Sequence, residues 1–299
     1  MQSVWNNRYL YLFVLPGVVW FLVFAYQPMY GVLIAFKDYD IIKGVFRSEW
    51  VGLAHFRELF GSPNFEVLLR NTIAISVLKM LFGFPAPIVL ALLLNEVRSR
   101  MFKRLAQTIS YLPFFVSWVV ITGIWYDLFS VDGGFVNQML ASLGIIKEPI
   151  FWFGNPNYFW GMILASDIWK GIGFGTIIFL ASITSVNPEL YESAVVDGAS
   201  RPRQVWHITL PAIRATIVLL FILNIAHFLD AGFEQIYAMQ NNMVLDRAEI
   251  IDTYVMKVGV FRANYEIATA VGLFKSIIGL ILLVSANFIV KKFGEDGVF

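Results

Sequence analysis

The sequence contains no cysteine among its 299 residues, which excludes disulfides, thiolate metal sites and thiol-based catalysis. Charged residues are also scarce: Asp, Glu, Lys and Arg make up only 14% of the chain, against roughly 25% in ordinary soluble domains. The formal net charge of +1 provides no basic excess for neutralising phosphates, so no nucleic acid partner is expected. A water-soluble fold of this composition would lack the polar groups needed to cover its surface.

Apolar residues dominate instead, at 58% of the chain, with 16% aromatic residues. Six apolar stretches reach about 20 residues or more, the length that an α-helix needs to cross roughly 30 Å of hydrocarbon. Every backbone amide in lipid needs an internal partner, which favours helices for all six. The sequence therefore predicts an all-α polytopic membrane protein, one membrane domain over residues 1–299, with six transmembrane helices at about 9–36, 71–94, 105–129, 159–183, 212–239 and 268–290.

Basic residues are concentrated in three segments that flank these stretches, and the positive-inside rule places such segments in the cytoplasm. The segments are the loop between the second and third spans, the loop between the fourth and fifth spans, and the C-terminal tail. Their basic residues are Arg98, Arg100, Lys103, Arg104, Arg201, Arg203, Arg214, Lys291 and Lys292. The prediction is a multi-pass protein of a cell membrane with both termini cytoplasmic. The segments 37–70, 130–158 and 240–267 then lie outside.

The loop at residues 185–211 carries the local signals of two short helices joined by a sharp turn. Asn187 can cap the first helix, with Pro188 at its first position. Gly198 can end that helix, because glycine adopts positive φ without steric cost. Ser200 would cap the second helix. The sequence therefore predicts a helix, a turn and a helix below the membrane.

This loop has two interpretations at the level of local chemistry. In one, it is a connector held against lipid headgroups by its basic residues and tryptophan, which are Arg201, Arg203 and Trp206. In the other, its helices are displayed for a partner. In both, Pro211 is predicted to open the fifth span.

The residue identities within the loop match a known pattern. The matching residues are Glu192-Ser193-Ala194, Gly198 and Ile208-x-Leu210-Pro211. The surroundings of the glycine, Asp197-Gly198-Ala199, also match the pattern. The pattern resembles the EAA loop of ABC importer membrane subunits, with Ser193 where that family usually has alanine. Other stretches look like the carbohydrate-uptake permeases, particularly those for polysaccharides and complex oligosaccharides. These stretches are Trp169-Lys170, Pro28-Met29-Tyr30-Gly31, and Val51-Gly52-Leu53 followed by Phe56.

The resemblance implies the type I permease fold of ABC importers and the import of a carbohydrate, an oligosaccharide or polysaccharide, across a prokaryotic cell membrane. In such importers the loop seats in a cleft of a separate ATPase. The coupling residues implied here are Glu192, Ser193, Ala194, Asp197, Gly198, Ala199, Arg201, Pro202, Arg203, Leu210 and Pro211. Implied partners are an ATPase dimer, a second permease subunit, usually a different chain, and an extracytoplasmic solute-binding protein. The chain itself would bind no cofactor, since ATP and Mg act on the ATPase.

Other substrates and other classes of membrane protein remain as alternatives. Glycerol phosphate and other polar solutes are alternative substrates within the importer class. A secondary transporter would typically show inverted repeats, which the sequence lacks. A membrane enzyme would need a convergent catalytic set, but neither a metal-site motif nor a nucleophile elbow is present. The glycines at 171, 173 and 175 lack the Lys and Ser/Thr of a phosphate loop, so packing between helices explains them better.

Ionisable residues within the predicted spans are costly and usually face the interior of a helical bundle, which makes them candidates for a substrate path. Asp167 and Lys170 lie three residues apart on one face of the fourth span, and a mutual ion pair is the structural alternative for them. The predicted path residues are Lys79, Asp167, Lys170, Asn224, His227, Phe228, Asp230 and Glu234.

The fifth span adds a polar stripe to this path. Steps of about 100° per residue place its polar residues within an arc of about 140°; they are Asn224, His227, Asp230, Glu234 and Gln235. Hydrogen-bonding groups beside Phe228 and Phe233 would suit the hydroxyls and the apolar face of a sugar. The alternative for this stripe is packing against a partner subunit.

Overall fold

The computed structural model describes residues 8–292, and the regular structure of this part is almost entirely helical. In chain order the helices are α1 (Arg8–Phe36), α2 (Gly44–Arg47), α3 (Ala54–Gly61), α4 (Pro63–Glu96), α5 (Arg100–Phe115), α6 (Trp118–Leu128), α7 (Phe135–Ser142), α8 (Pro156–Thr184), α9 (Pro188–Val196), α10 (Arg201–Ala212), α11 (Arg214–Ala226), α12 (Phe233–Met239), α13 (Leu245–Ala248), α14 (Ile251–Val255, continued by a π-helical turn at Met256–Phe261) and α15 (Tyr265–Lys292). Two short strands, β1 (Lys37–Asp38) and β2 (Glu49–Trp50), pair antiparallel.

Four of the six predicted spans are confirmed as long apolar helices, namely α1, α4, α8 and α15. The other two are bent helix pairs. The predicted third span, 105–129, is wrong as one continuous helix, because α5 and α6 meet at an angle of 109°. The predicted fifth span, 212–239, is also interrupted, and α10 meets α11 at 62°. Residues 8–292 therefore contain six apolar segments, of which two are not straight.

The bend between α5 and α6 follows from Pro113 and from a lysine on another helix. Pro113 lies in a 3-10 turn that ends α5, and the backbone is extended at Val116 and Ser117. The ammonium of Lys170 on α8 donates to the carbonyls of Pro113, Phe114 and Val116, at 2.8 Å for Phe114. Irregular backbone at membrane depth is tolerated where such groups find partners within the protein.

The fifth segment departs from the prediction at both ends. Pro211 does not open it, because α10 continues through Pro211 to Ala212 and the bend comes at the buried Ile213. α11 then ends at Ala226, and residues 227–232 form a break before α12. Gly232 precedes α12 with a φ of +101°, a conformation that glycine adopts without a Cβ clash.

The chain forms two compact units. The first comprises the residues up to Ser62 together with Val255–Lys275, and the second comprises Pro63–Tyr254 and the residues from Ser276 onward. In the first unit, the ring of Phe36 stacks on Trp50 with centroids 5.5 Å apart. The carboxylate of Glu266 accepts a hydrogen bond from the backbone N–H of Tyr39 at 3.1 Å. These contacts tie α1 to the strand pair and to the start of α15.

The second unit is organised around α8, which packs along α4. One apolar cluster gathers the early parts of these helices with α6 and α12, and includes Ile75, Phe159 and Ile163. A second cluster gathers their later parts with the start of α11, and includes Ala91 and Phe179. Lys79 on α4 and Asp167 on α8 pair between these clusters, so the second unit has an apolar layer on each side of a polar middle.

Close packing of α8 depends on two of its three central glycines. A Cβ on Gly173 would overlap the backbone carbonyl of Ser110, and one on Gly175 would lie 2.9 Å from the Pro87 ring. A Cβ on Gly171 would meet nothing within 4 Å. The predicted role in helix packing is therefore confirmed for Gly173 and Gly175 but not for Gly171.

Gly173→Ala is expected to destabilise the protein by about 1–3 kcal/mol, because the methyl group must displace backbone atoms of α5. Gly171→Ala is the matched control in the same helix, where the added methyl has open space. Thermal unfolding of the two variants in one detergent would measure the difference. Equal Tm values would contradict the packing argument.

Candidate functional site

A cavity of about 510 Å³ lies in the second unit among α4, α8, α11 and the break before α12. Its volume falls within the range of roughly 300–1,000 Å³ typical of small-molecule sites. It lies level with the polar middle between the two apolar clusters. Six of the eight predicted path residues line it, namely Lys79, Asp167, Asn224, His227, Phe228 and Asp230.

Lys79 is held in this cavity wall by a buried polar network. Its ammonium donates to the Asp167 carboxylate and to the Gln235 amide oxygen, each at 2.7 Å. The fully buried Gln235 donates in turn to the carbonyl of Ile163 and the hydroxyl of Ser166, each at 2.7 Å. The network therefore connects α4, α8 and α12.

The break before α12 is shaped to fit against this lysine. A Cβ on Gly232 would lie 2.5 Å from the Lys79 Nζ, so a side chain there would displace the ammonium. The positive φ of Gly232 adds a second requirement for glycine at this position. The segment 227–232 is thus positioned by α4 and by Gln235, and it presents its own polar residues to the cavity.

The expected ion pair between Asp167 and Lys170 is wrong. Asp167 pairs with Lys79, and Lys170 points instead to the carbonyls at the bend between α5 and α6, with cation–π contacts to Phe114 and Trp118. Spacing along one helix identified a local partner, whereas both charges found better partners on other helices. Lys170 and the exposed Glu234 are not among the residues that line the cavity.

The polar stripe predicted on the fifth span is also changed by the break. Asn224 lies on α11, His227 and Asp230 lie in the break, and Glu234 begins α12, so a constant step of 100° does not relate them. His227 Nδ1 and Asp230 Oδ2 are 2.9 Å apart. Asn224 donates to the carbonyl of Leu220 one turn earlier at 2.8 Å. Asn224, His227 and Asp230 reach one cavity because the chain bends, not because they share a helical face.

The loop between α8 and α11 confirms the predicted helix, turn and helix. Asn187 caps α9, since its side-chain oxygen accepts the N–H of Glu189 at 3.1 Å. Gly198 follows α9 with a φ of +75°. The N–H of Gly198 donates to Val195 at 3.0 Å and that of Ala199 to Ala194 at 2.8 Å, which is the Schellman arrangement. The turn is therefore held by its own backbone.

Ser200 departs from its predicted role. It stands immediately before α10 with extended backbone, but its hydroxyl accepts no capping hydrogen bond from that helix. The side-chain amide of Gln204 instead donates back to the carbonyl of Ala199 at 2.9 Å. A side chain of α10 itself therefore ties the start of this helix to the turn.

Two contacts brace the loop against the rest of the second unit. The Tyr191 hydroxyl on α9 lies 2.9 Å from the hydroxyl of the buried Thr209 on α10. Arg201 forms an ion pair with Glu96 at the end of α4. These contacts link α9 to α10, and α10 through Arg201 to α4.

The surface of α9 is displayed. Its apolar residues Leu190, Val195 and Val196 are 49%, 63% and 87% exposed. Of the predicted coupling residues, Ala194, Ala199 and Leu210 are half-buried and the others are exposed, namely Glu192, Ser193, Asp197, Gly198, Arg201, Pro202, Arg203 and Pro211. A braced helix with an exposed apolar and acidic surface suits docking to a partner, and this favours the partner interpretation over a simple connector.

Sequence reasoning missed Gly232 in the cavity wall and part of the hydrogen-bond network that holds Lys79 there. Gln235 belongs to the predicted stripe but not to the predicted path residues, and Ser166 and Gly232 belong to neither. A buried amide within an apolar span is a usable signal, because it must find partners that satisfy both its nitrogen and its oxygen. No local spacing rule connects Gln235 to Lys79, which lies 156 residues away in the sequence.

Comparison with known proteins gives consistent matches. The family model described as binding-protein-dependent transport system inner membrane component matches residues 83–295. Protein LplB of Bacillus subtilis (strain 168) is 49% identical over 100% of this chain and 93% of its own length. The polygalacturonan/rhamnogalacturonan transport system permease protein YteP of the same organism is 48% identical over 98% and 91%. A solved bacterial alginate ABC transporter, in complex with alginate pentasaccharide-bound periplasmic protein, matches with a TM-score of 0.91, 39% identity and 99% coverage of both chains.

Proposed function

Because the chain belongs to the family of binding-protein-dependent transport system inner membrane components, we propose that it is the permease subunit of an ATP-driven importer for saccharide chains. The observation that carries this proposal is the displayed helix α9. It is braced to α10, which is paired in turn with α4, yet it leaves its own apolar and acidic surface exposed. Such a helix can receive a mechanical input from a partner and pass it to the membrane segments.

The partner that supplies the input is an ATPase dimer, with ATP and Mg bound there and not on this chain. This assignment rests on the resemblance of residues 192–211 to the EAA loop and on the geometry of the Gly198 turn. Closure of the ATPase pair would move α9, and the Tyr191 and Arg201 contacts would carry the movement onward.

A saccharide is the substrate supported by the relatives. One of them is described as transporting polygalacturonan and rhamnogalacturonan, and the matched alginate transporter was solved with a pentasaccharide-bound periplasmic protein. The cavity offers hydrogen-bonding groups at Asn224, His227 and Asp230, beside the rings of Phe84 and Phe228. Sugars present hydroxyl groups and apolar ring faces, which these two kinds of group match.

The complete transporter would include a second permease subunit and an extracytoplasmic solute-binding protein. Both chain termini, which lie outside the described residues, would be cytoplasmic, on the side of α9. In support, the ion pair of Glu96 with Arg201 brings the basic second and fourth loops to one end of the second unit. At the other end, Asn241 donates to the carbonyl of Phe153 at 2.7 Å and joins two loops predicted to lie outside.

Uptake by the reconstituted complex tests this function. With the ATPase, second permease and binding protein in liposomes, a labelled oligosaccharide should accumulate unshortened only when ATP is present inside. Unlabelled oligosaccharide should compete, whereas glycerol phosphate should not. Uptake that needs no ATP and collapses with a proton ionophore would establish a secondary transporter instead, and a shortened product would establish an enzyme.

A further inference from the structure

A second, smaller cavity of about 320 Å³ lies in the second unit at the end of α6, away from the cavity that contains Lys79. Aromatic side chains form most of its wall, namely Tyr126, Phe129, Phe151 and Phe153. The rings of Tyr126 and Phe153 stack with centroids 3.9 Å apart, and Phe151 is 51% exposed. The remaining lining comes from the turn Ser130, Val131 and Asp132.

One buried amide holds the two walls of this aromatic pocket together. Asn137 on α7, 4% exposed, donates from Nδ2 to the carbonyls of Ser130 at 2.9 Å and Ile150 at 3.0 Å. Its Oδ1 accepts the N–H of Ile150 at 3.0 Å and the indole N–H of Trp152 at 3.1 Å. All four hydrogen-bonding positions of the amide are used. The segments 130–132 and 150–153 are therefore fixed on opposite sides of the pocket before any ligand arrives.

The exposed ring of Phe151 is also fixed. A Cβ on Gly154 would overlap this ring, so the ring packs closely against the backbone of its own turn. The rest of the ring is open and offers an apolar platform. Binding then costs little side-chain entropy, because the platform is already ordered.

The polar edge of the pocket offers a hydrogen-bond acceptor, the carboxylate of Asp132. Asp132 is exposed, and among the described residues its carboxylate forms no ion pair. Its backbone N–H donates to the Ser130 hydroxyl at 3.1 Å, which fixes the turn. A carboxylate accepts hydrogen bonds from two neighbouring hydroxyl groups and repels other anions.

We propose that this pocket binds one uncharged sugar unit of the transported saccharide, with the sugar face on Phe151 and its hydroxyls on Asp132. The proposal rests on the proposed function, because it needs a saccharide to arrive at the outer end of the path. Its volume is at the lower end of the range for small-ligand sites, which suits one unit of a longer chain. The carboxylate selects an uncharged unit over a uronate. The pocket would thus hold the saccharide before its next units enter the larger cavity.

The test measures sugar binding to the complete transporter in nanodiscs without ATP. The probes are methyl α-galactoside, methyl α-rhamnoside and sodium galacturonate, followed by saturation-transfer difference NMR. A neutral glycoside should bind more tightly than galacturonate. Phe151→Ala should weaken neutral binding on the order of fivefold, from loss of the stacked ring. Gly154→Ala should weaken it similarly by displacing that ring, and Asp132→Asn should remove the preference against galacturonate.

Phe135→Ala is the matched control, since Phe135 is an exposed phenylalanine on α7, 62% accessible, and does not line the pocket. Neutral binding unchanged in both Phe151→Ala and Gly154→Ala would overturn the proposal. So would intact sugar binding in Phe151→Ala with loss of stimulation by the binding protein, because the pocket would then receive a protein side chain. A wild-type complex that binds glycosides through Phe151 but imports nothing would instead contradict the proposed function and leave the pocket standing.

Discussion

Replacing Gly198 by valine is expected to reduce ATP-driven uptake more than tenfold while the protein still inserts and folds. Gly198 has a φ of +75°, and a left-handed conformation costs an L-residue about 1–2 kcal/mol, with β-branched residues among the worst suited. The strain would be relieved by loss of the turn, and with it the hydrogen bond from Ala199 to Ala194. Helix α9 would then no longer stand at a fixed angle to α10. Uptake and ATP hydrolysis measured on the same liposomes would show hydrolysis without matching transport, or a complex that no longer retains its ATPase.

Gly144→Val is the matched control for this variant. Gly144 has a φ of +70°, and a Cβ added there, as at Gly198, would meet nothing within 4 Å, so the two substitutions impose similar backbone strain. Gly144 follows α7, far along the chain from the loop that carries α9. Its substitution should leave uptake within about twofold of wild type, since the strain of about 1–2 kcal/mol is the same but no coupling element moves. Equal losses of uptake in both variants would assign the effect to general destabilisation and contradict a mechanical role for the Gly198 turn.

Replacing Lys79 by methionine is expected to destabilise the protein by about 1–3 kcal/mol, because a charged acceptor and an amide acceptor both lose their donor. Asp167 would keep its carboxylate without the ammonium at 2.7 Å, and the Oε1 of Gln235 would lose the hydrogen bond that it accepts from the same ammonium. The Lys79 side chain is 17% exposed, so water replaces the lost bonds only in part. Chemical or thermal unfolding in detergent would measure the loss.

The double variant Lys79→Met with Asp167→Asn separates charge balance from other roles of the lysine. Removing both charges should recover most of the stability lost in the single variant, as a double-mutant cycle would show. Lys43→Met is the control, because the Lys43 and Asp40 side chains are 63% and 39% exposed, and such surface pairs contribute about 0–1 kcal/mol. If the stable double variant still fails in uptake, the Lys79–Asp167 pair also acts in transport. If the single variant is as stable as wild type, the network does not support the cavity.

The features that could be predicted from the sequence are those fixed by neighbouring residues. Asn187 with Pro188 starts a helix, and Gly198 ends it, because caps and positive φ depend on a few consecutive residues. The location of the apolar segments is equally readable, since length and apolarity alone bring a segment into lipid. A hydropathy profile, however, does not show where a helix bends. Residues 116–117 and 227–232 interrupt helices within apolar runs, and only tertiary partners make those interruptions stable.

The partner of each partly buried charge was beyond sequence reasoning for the same reason. Asp167 has Lys170 at helical spacing, yet it pairs with Lys79, 88 residues away. Lys170 binds elsewhere, at three carbonyls that come together where the third segment bends. Knowing that bend in advance would have assigned Lys170 to its carbonyls. Asp167 would then have been left for Lys79.

The two apolar clusters that enclose the polar middle of the second unit have an electrical consequence. An ion entering either cluster would exchange water for side chains such as Ile75 and Phe159 on one side, or Ala91 and Phe179 on the other. Such a transfer without compensating partners costs many times thermal energy. Within the second unit, the two clusters therefore form insulating layers on either side of the Lys79–Asp167 pair.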